Sequence, residues 1–249
     1  MAAVKYICAA LTAAIIFCGC GNGNTPQQEL ESAVISAQAG KWDATLKSVN
    51  LVLEKQPHCV DAITLKSVAL FNLGRGVEAM KEARSAAERD PNNFAAQYML
   101  GLLTLAEPGR EAKALDELTV ALRMRPDDAG TLALLATAGT RLNDDVTDLY
   151  IDMLPAELRD SAQAQSILGV YYALRGDLAK ADIAFTNSYL RGKGEPIAAL
   201  NYARFLDYYK GDRTGAIAKY VEYLELTAET AVPGGTRTLV EGRINTLRK

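Results

Sequence analysis

The sequence predicts an all-α fold, a stack of six helix-turn-helix repeats closed by a last helix. The first observation is a recurring glycine: Gly40, Gly74, Gly109, Gly176 and Gly211 are separated by 34, 35, 67 and 35 residues. Glycine adopts the left-handed conformation that ends a helix at little cost, so each of these glycines predicts a turn between two helices. The gap of 67 residues corresponds to two units. Such a period predicts a solenoid rather than a single globular core.

Three further observations support this period. In most units the residue five positions after the turn is small and the residue nine positions after it is larger, as with Ala181 and Phe185 after Gly176. Asn143, the residue type that best replaces glycine in a left-handed cap, lies at the middle of the long gap. Prolines close the first three units, at Pro57, Pro91 and Pro126.

The fifth unit carries the most informative motif. Leu168-Gly169-x2-Tyr172 is followed by Ala181-x3-Phe185, and in this respect the chain resembles tetratricopeptide repeat (TPR) proteins. Gly169 and Ala181 are small where two antiparallel helices must approach closely, and Tyr172 and Phe185 fill the space beside them. The resemblance implies helical pairs stacked so that their first helices line one concave surface.

The N-terminus has the pattern of an exported lipoprotein. Lys5 gives a short positive segment, and the apolar stretch 6–17 is too short to span a membrane but has the length of a signal-peptide core. Gly19 then precedes Cys20, as in a bacterial lipobox, where cleavage leaves a cysteine whose thiol is acylated. We interpret residues 1–19 as a lipoprotein signal peptide and Cys20 as the lipid-attachment site. The alternatives are an ordinary secretory peptide and a retained anchor.

The segment after the cysteine predicts a tether and a location. Residues 20–26 are rich in Gly and Asn, which is typical of a flexible linker. Gly21 rather than Asp follows Cys20, and this favours sorting to the outer membrane. The expected location is therefore the bacterial cell envelope, with the protein anchored by lipid and facing the periplasm.

The solenoid is predicted to occupy residues 27–231, followed by a linker and capping helix in residues 232–249. Its units are residues 27–58, 59–93, 94–128, 129–160, 161–195 and 196–231. The third unit has a turn lengthened by one residue, at positions 107–110. Thr238-x2-Glu241 predicts a capping box that opens the last helix. The residues expected to cover the last repeat are Val240, Ile244 and Leu247.

The fourth unit is degenerate. Asp148 and Asp152 occupy positions that are small or apolar in the other units. Moving the register of the second helix by one residue restores an apolar face at helical spacing. That face consists of Val146, Leu149, Tyr150 and Met153. We therefore predict a second helix rotated about its axis, with Leu149 in place of the small residue.

Composition and charge argue against several classes of function. The 27 Lys and Arg against 30 Asp and Glu give a net charge of −3, and nucleic acid is not an expected partner. His58 is the only histidine and is adjacent to Cys59 in a predicted turn, where neighbouring side chains do not form a nucleophile–base pair. The sequence offers no further metal ligands near them. We predict no catalytic residue, metal, cofactor or small-molecule substrate, and the chain is not expected to be an enzyme.

The resemblance implies a ligand groove lined by the first helices. The family's groove positions fall on residues that are mostly apolar or aromatic. These are Thr64, Val68, Phe71, Tyr98, Leu102, Leu105, Ser166, Val170, Leu174, Asn201, Phe205, Tyr208 and Tyr209. The Lys/Asn clamp with which family members hold a C-terminal carboxylate is missing from these positions. The expected ligand is an extended or helical peptide that buries apolar side chains, with tyrosine hydroxyls orienting it.

The function predicted from these features is a non-catalytic scaffold that binds envelope proteins. The architecture is similar to that of the type IV pilus-biogenesis lipoproteins that assist secretin assembly, and of the TPR lipoproteins of outer-membrane assembly. This similarity implies a role in pilus, secretin or outer-membrane complexes. The alternative hypothesis is an adaptor that recruits or regulates a cell-wall hydrolase or another envelope enzyme.

Overall fold

The computed structural model describes residues 25–228 and 235–249, and every regular element in these ranges is helical. The elements are α1 (Pro26–Gln38), α2 (Trp42–Lys55), α3 (Val60–Asn72), α4 (Gly76–Arg89), α5 (Phe94–Ala106), α6 (Glu111–Met124), α7 (Ala129–Leu142), α8 (Val146–Asp152), α9 (Ala156–Arg159), α10 (Ala162–Leu174), α11 (Leu178–Arg191), α12 (Pro196–Phe205), a π-helical turn (Leu206–Lys210), α13 (Arg213–Leu226) and α14 (Thr236–Leu247). The predicted signal peptide and Cys20 lie outside the described residues. None of the helices described is long and apolar enough to cross a membrane.

The predicted turns are present. Gly40, Gly74, Gly109, Gly176 and Gly211 have φ angles between 67° and 79°. Asn143 is the one non-glycine residue with positive φ among those described, at 55°. This confirms that Asn143 is the turn residue of the fourth repeat. Each of these residues ends one helix and lets the chain reverse into the next. The fold is thus built from antiparallel helical pairs, as the period predicts.

The described chain forms two compact units that divide between Ala138 and Gly139. In the first unit, α1 to α6 pack as successive antiparallel pairs. Small residues of the second helices, Thr45, Ala79 and Ala114, are fully buried there. A Cβ atom added at Gly101 would lie 2.6 Å from Cγ of Leu118, so the helices α5 and α6 approach too closely for any larger residue at that point.

The second unit repeats this packing around aromatic residues. Ala181 and Ala216 are fully buried, and a Cβ atom added at Gly169 would lie 2.9 Å from the ring of Phe185. The Phe185 ring in turn stacks on Phe205, with 4.9 Å between the ring centroids. The motif in the fifth repeat therefore fixes the spacing of α10 and α11 and connects that pair to α12.

The register predicted for the second helix of the fourth repeat was wrong, because the helix is shifted in the opposite direction. Thr147 and Ile151 are the buried residues of α8, whereas Leu149 is 57% exposed and Met153 is also exposed. Thr147 lies 33 residues after Ala114 and 34 before Ala181, so this repeat lacks one residue in its turn. Counting five residues from the turn residue, as in the other repeats, therefore leads from Asn143 to Asp148, one residue past the buried Thr147. Thr147 is small enough for the close approach that the predicted Leu149 would have blocked.

The start of the last helix also differs from its prediction. Helix α14 begins at Thr236, after Gly235 with φ of 68°, and the predicted capping box at Thr238 and Glu241 is not formed. Both residues lie within the helix, where Glu241 is near Arg237 instead. The predicted apolar face is confirmed, because Val240, Ile244 and Leu247 are buried in the core of the second unit.

We predict that Gly169→Val destabilises the protein by about 2–3 kcal/mol, because the buried Phe185 ring cannot move away from the added side chain. Urea denaturation followed by far-ultraviolet circular dichroism measures this loss. The matched control is Gly242→Val, since Gly242 is also helical but has nothing within 4 Å of an added Cβ. Its free energy of unfolding should change by no more than about 0.5 kcal/mol. Equal losses in both variants would contradict the close-packing explanation.

Candidate functional site

The residues predicted to line a groove differ in their burial. The buried ones are Thr64, Val68, Tyr98, Leu105 and Phe205. The exposed ones are Phe71, Val170, Leu174, Tyr208 and Tyr209. Those of intermediate exposure are Leu102, Ser166 and Asn201. The buried set packs in the cores of the two units and offers no free surface to a ligand, whereas the exposed set lies mostly in the second unit.

In the first unit, most of the predicted positions contribute to the core. Tyr98 packs against Phe94 with 5.9 Å between ring centroids, and its hydroxyl would lie 3.1 Å from a Cβ added at Gly130. Thr64 and Val68 are enclosed by the same core. Phe71 remains the one strongly exposed member of the predicted set in this unit. An isolated exposed apolar residue does not by itself indicate a binding site.

In the second unit, the first helices of the fifth and sixth repeats meet side by side. Nδ2 of Asn201 on α12 donates a hydrogen bond of 2.7 Å to Oγ of Ser166 on α10. Val170 and Leu174 follow Ser166 at helical spacing on α10 and are both exposed. The hydrogen bond between the helices therefore lies beside an exposed apolar stripe.

The sixth repeat contains a π-helical turn at Leu206–Lys210, in which the amide of Gly211 donates to the carbonyl oxygen of Leu206. This turn contains the extra residue of the repeat. Gly211 lies 35 residues after Gly176, but the fully buried Ala203 lies 34 residues after its counterpart Gly169. The additional residue is thus inside the helix and not in the loop. Such π turns are frequent at functional sites.

This change of register decides which residue of α12 is exposed. Counting from the turn glycine placed Phe205 in the groove, but Phe205 is buried against Phe185. Arg204 directly follows Ala203, as Val170 follows Gly169, and Arg204 is exposed. Sequence reasoning missed Arg204, and an alignment on the buried small residues instead of the turn glycines would have found it. We call the surface of Ser166, Val170, Leu174, Asn201, Arg204, Tyr208 and Tyr209 the α10–α12 face.

An ion pair between a buried carboxylate and a partly exposed guanidinium lies next to Tyr208 at the end of this face. The side chain of Asp207 is 2% exposed and receives two hydrogen bonds from Arg243 of α14, from Nε at 2.8 Å and from Nη2 at 2.7 Å. The hydroxyl of Tyr220 donates a third, at 3.0 Å. The guanidinium of Arg243 also lies over the ring of Tyr208, 5.0 Å from its centroid. Helix α14 therefore holds the π turn in place through one arginine.

These contacts change the protonation equilibria of the cluster. The hydrogen bonds from Arg243, with that from Tyr220, lower the pKa of Asp207 below its ordinary value, although burial opposes them. Burial, with the hydrogen bond to Asp207, raises the pKa of the Tyr220 hydroxyl. At neutral pH, Asp207 is therefore an ionised carboxylate paired with the charged Arg243. Tyr220 keeps its proton and donates a hydrogen bond.

The other residues weighed from the sequence lie in the first unit. Nδ1 of His58 lies beside Nη1 of Arg89, and Cys59 precedes the first residue of α3 as its N-cap. Within residues 25–228 and 235–249, no group of His, Cys, Asp and Glu side chains could hold a metal ion.

We predict that Asp207→Asn lowers the free energy of unfolding by about 1–3 kcal/mol at pH 7, because a charged hydrogen-bonding partner of Arg243 is lost. Since the pKa of Asp207 is lowered by folding, its carboxylate stabilises the fold above the unfolded value of about 3.9 and less as the pH falls through the folded pKa. The difference between the wild type and Asp207→Asn should therefore shrink below about pH 4. Thermal denaturation from pH 3 to 8 measures it.

The control for this prediction is Asp160→Asn, which removes an exposed pair with Arg191 at 3.3 Å. Exposed pairs contribute only about 0–1 kcal/mol, so this variant should stay close to the wild type throughout. A pH-independent loss in Asp207→Asn would contradict the account of the ion pair.

Comparison with solved structures identifies the fold. A TPR protein from Parabacteroides merdae matches with a TM-score of 0.69 and 16% identity over 91% of this chain and 88% of that one. PilW, a type IV pilus biogenesis factor, matches with a TM-score of 0.69 and 15% identity over 88% and 99%. PilF of Pseudomonas aeruginosa matches with a TM-score of 0.61 and 15% identity over 88% and 97%.

Sequence comparison adds no closer relative, because no family model and no curated protein sequence matches this chain. At 15–16% identity, the structural likeness concerns the fold and does not extend to activity or partners. The helical pairs, the left-handed turns and these similarities agree on one conclusion: the protein has the tetratricopeptide repeat fold.

Proposed function

We propose that this protein is a non-catalytic scaffold of the bacterial envelope that holds a partner protein on its α10–α12 face. The observation that carries the proposal is the exposure of large apolar and aromatic side chains on that face. Tyr208 is 63% exposed and Leu174 is 48% exposed, with Val170 and Tyr209 exposed beside them. Contiguous exposed apolar surface marks sites of interaction more often than isolated residues do.

The composition of the face fits recognition of a peptide segment. Tyrosine combines a large apolar ring with a hydroxyl, and it is enriched among the residues that dominate binding energy. The ring of Tyr209 stacks on Phe205, with 6.1 Å between centroids, and Tyr208 rests against Arg243. Because these contacts already restrict both tyrosine rings, little conformational entropy is lost when a ligand packs on them.

The location in the proposal rests on the sequence. Cys20 in its lipobox-like context would anchor the chain in a membrane of the envelope, with outer-membrane sorting favoured by Gly21. One of the similar structures, PilW, is a type IV pilus biogenesis factor. Assembly of a pilus, secretin or outer-membrane complex is therefore the process that we propose. The second candidate remains an adaptor for a cell-wall hydrolase, since such an adaptor would use the same face.

We predict that the double variant Leu174→Ala/Tyr208→Ala loses most of the partner captured from detergent-solubilised envelope, because it removes two exposed apolar anchors. The tagged protein is purified from its own organism, and bound proteins are quantified by mass spectrometry. Secretin or barrel-assembly subunits would favour the first function, and peptidoglycan enzymes the adaptor. The control is Leu190→Ala on the second helix α11, a leucine that is 63% exposed and so more exposed than Leu174. Equal capture by all three proteins would contradict the proposal for this face.

We predict that Cys20→Ala abolishes metabolic labelling with a fatty acid and releases the protein from membranes, because the acylated thiol is lost. Labelling followed by membrane fractionation measures both effects. Cys59→Ala is the matched control, because Cys59 lies within the folded repeats and should leave labelling unchanged. A Cys20→Ala protein that remains labelled and membrane-bound would rule out this anchor.

A further inference from the structure

We propose that the segment bound by the α10–α12 face carries an acidic side chain next to its apolar ones, and that this carboxylate pairs with Arg204. The inference rests on the proposed function and specifies the ligand of the same face. It depends on three features of the structure: the position of Arg204, the charges around it and the apolar residues that flank it.

Arg204 is placed among the ligand-facing residues by helical geometry. It follows the fully buried Ala203, lies three residues after Asn201 and four before Tyr208. Residues three apart share one side of an α-helix, so Arg204 lies on the side of α12 that carries Asn201. Asn201 itself is fixed by its hydrogen bond to Ser166. The arginine is therefore on the same surface as the exposed apolar stripe of α10.

The charge of Arg204 is uncompensated, unlike that of its neighbours. Asp207, the nearest acidic residue along the chain, is paired with Arg243, and Lys210 is paired with Asp182 at 2.9 Å. Arg204 is exposed and has no hydrogen bond or ion pair with any residue in the described part of the chain. The open charge on this face is therefore positive, and a negatively charged ligand group complements it.

The surroundings favour a carboxylate over other negative groups on a peptide. A guanidinium presents a planar fork of donors that matches a carboxylate in a two-point hydrogen-bonded pair. Val170 and Tyr208 are exposed on the same face and would exclude water once an apolar ligand side chain packs on them, which strengthens the pair. The predicted ligand thus has an Asp or Glu within a few residues of Leu, Phe or a similar apolar residue.

The test uses a random dodecapeptide library displayed on phage with the peptide C-terminus fused to the coat protein, so that side chains are the only carboxylates in the peptide. We expect selected peptides to be enriched in Asp or Glu beside apolar residues. The best peptide is then synthesised with an amidated C-terminus, and its Kd is measured by fluorescence anisotropy. Arg204→Gln should weaken binding about tenfold, as expected for loss of a charge-assisted pair.

Two controls separate this inference from a general charge effect. Arg213→Gln removes another exposed arginine of the same unit and should leave the Kd unchanged. Changing the acidic residue of the peptide to its amide should weaken binding to the wild type about tenfold but have little further effect on Arg204→Gln, since both changes remove the same pair. Circular dichroism checks that each variant is folded.

The outcomes distinguish the inference from the function on which it rests. Binding that is lost in Leu174→Ala/Tyr208→Ala but unaffected by Arg204→Gln would overturn the acidic ligand and leave the binding face intact. Selected peptides without acidic residues would do the same. Failure to select any peptide, or binding that is indifferent to Leu174→Ala/Tyr208→Ala, would overturn both.

Discussion

The close approach of the two helices within each pair is the constraint on which the rest of the structure depends. Gly169 against Phe185 and Gly101 against Leu118 leave no room for a further methyl group. Small residues at these positions set the distance between helices, and the larger partner fills the remaining space. The identity of the buried position, and not the turn, therefore determines how each helix is rotated and which side chains it exposes.

Two repeats accommodate one extra residue in different ways. The third and sixth repeats each have one residue more than the fifth between the buried small residue and the turn glycine. In the third, Pro108 lies after the end of α5, and since proline lacks a backbone donor the helix does not continue through it. The sixth has no proline there, so its helix continues and contains the extra residue as a π turn. That turn directs Asp207 inward to Arg243 and leaves Tyr208 exposed.

The sequence was sufficient to predict the fold but only part of the candidate face. The glycine period, Asn143 and the motif at Leu168 to Phe185 predict the helical pairs, because turns and close contacts have strong residue preferences. Exposure depends on register, which spacing alone does not determine. A one-residue difference placed Arg204 rather than Phe205 at the surface. In the fourth repeat, a turn shorter by one residue moved the buried position from Asp148 back to Thr147, whereas the prediction had moved it forward to Leu149. The Arg243–Asp207 pair joins residues 36 positions apart, and no local pattern indicates it.

The most direct measurement of the central claim is site-specific photo-crosslinking in the living cell. A photoreactive amino acid is placed at Val170 on the α10–α12 face or at Ile183 on the second helix α11, two positions that are both exposed. The account predicts a discrete cross-linked partner from position 170 and none from position 183. The same adduct from both positions, or an adduct from position 183 alone, would contradict the claim that partners bind the surface of the first helices.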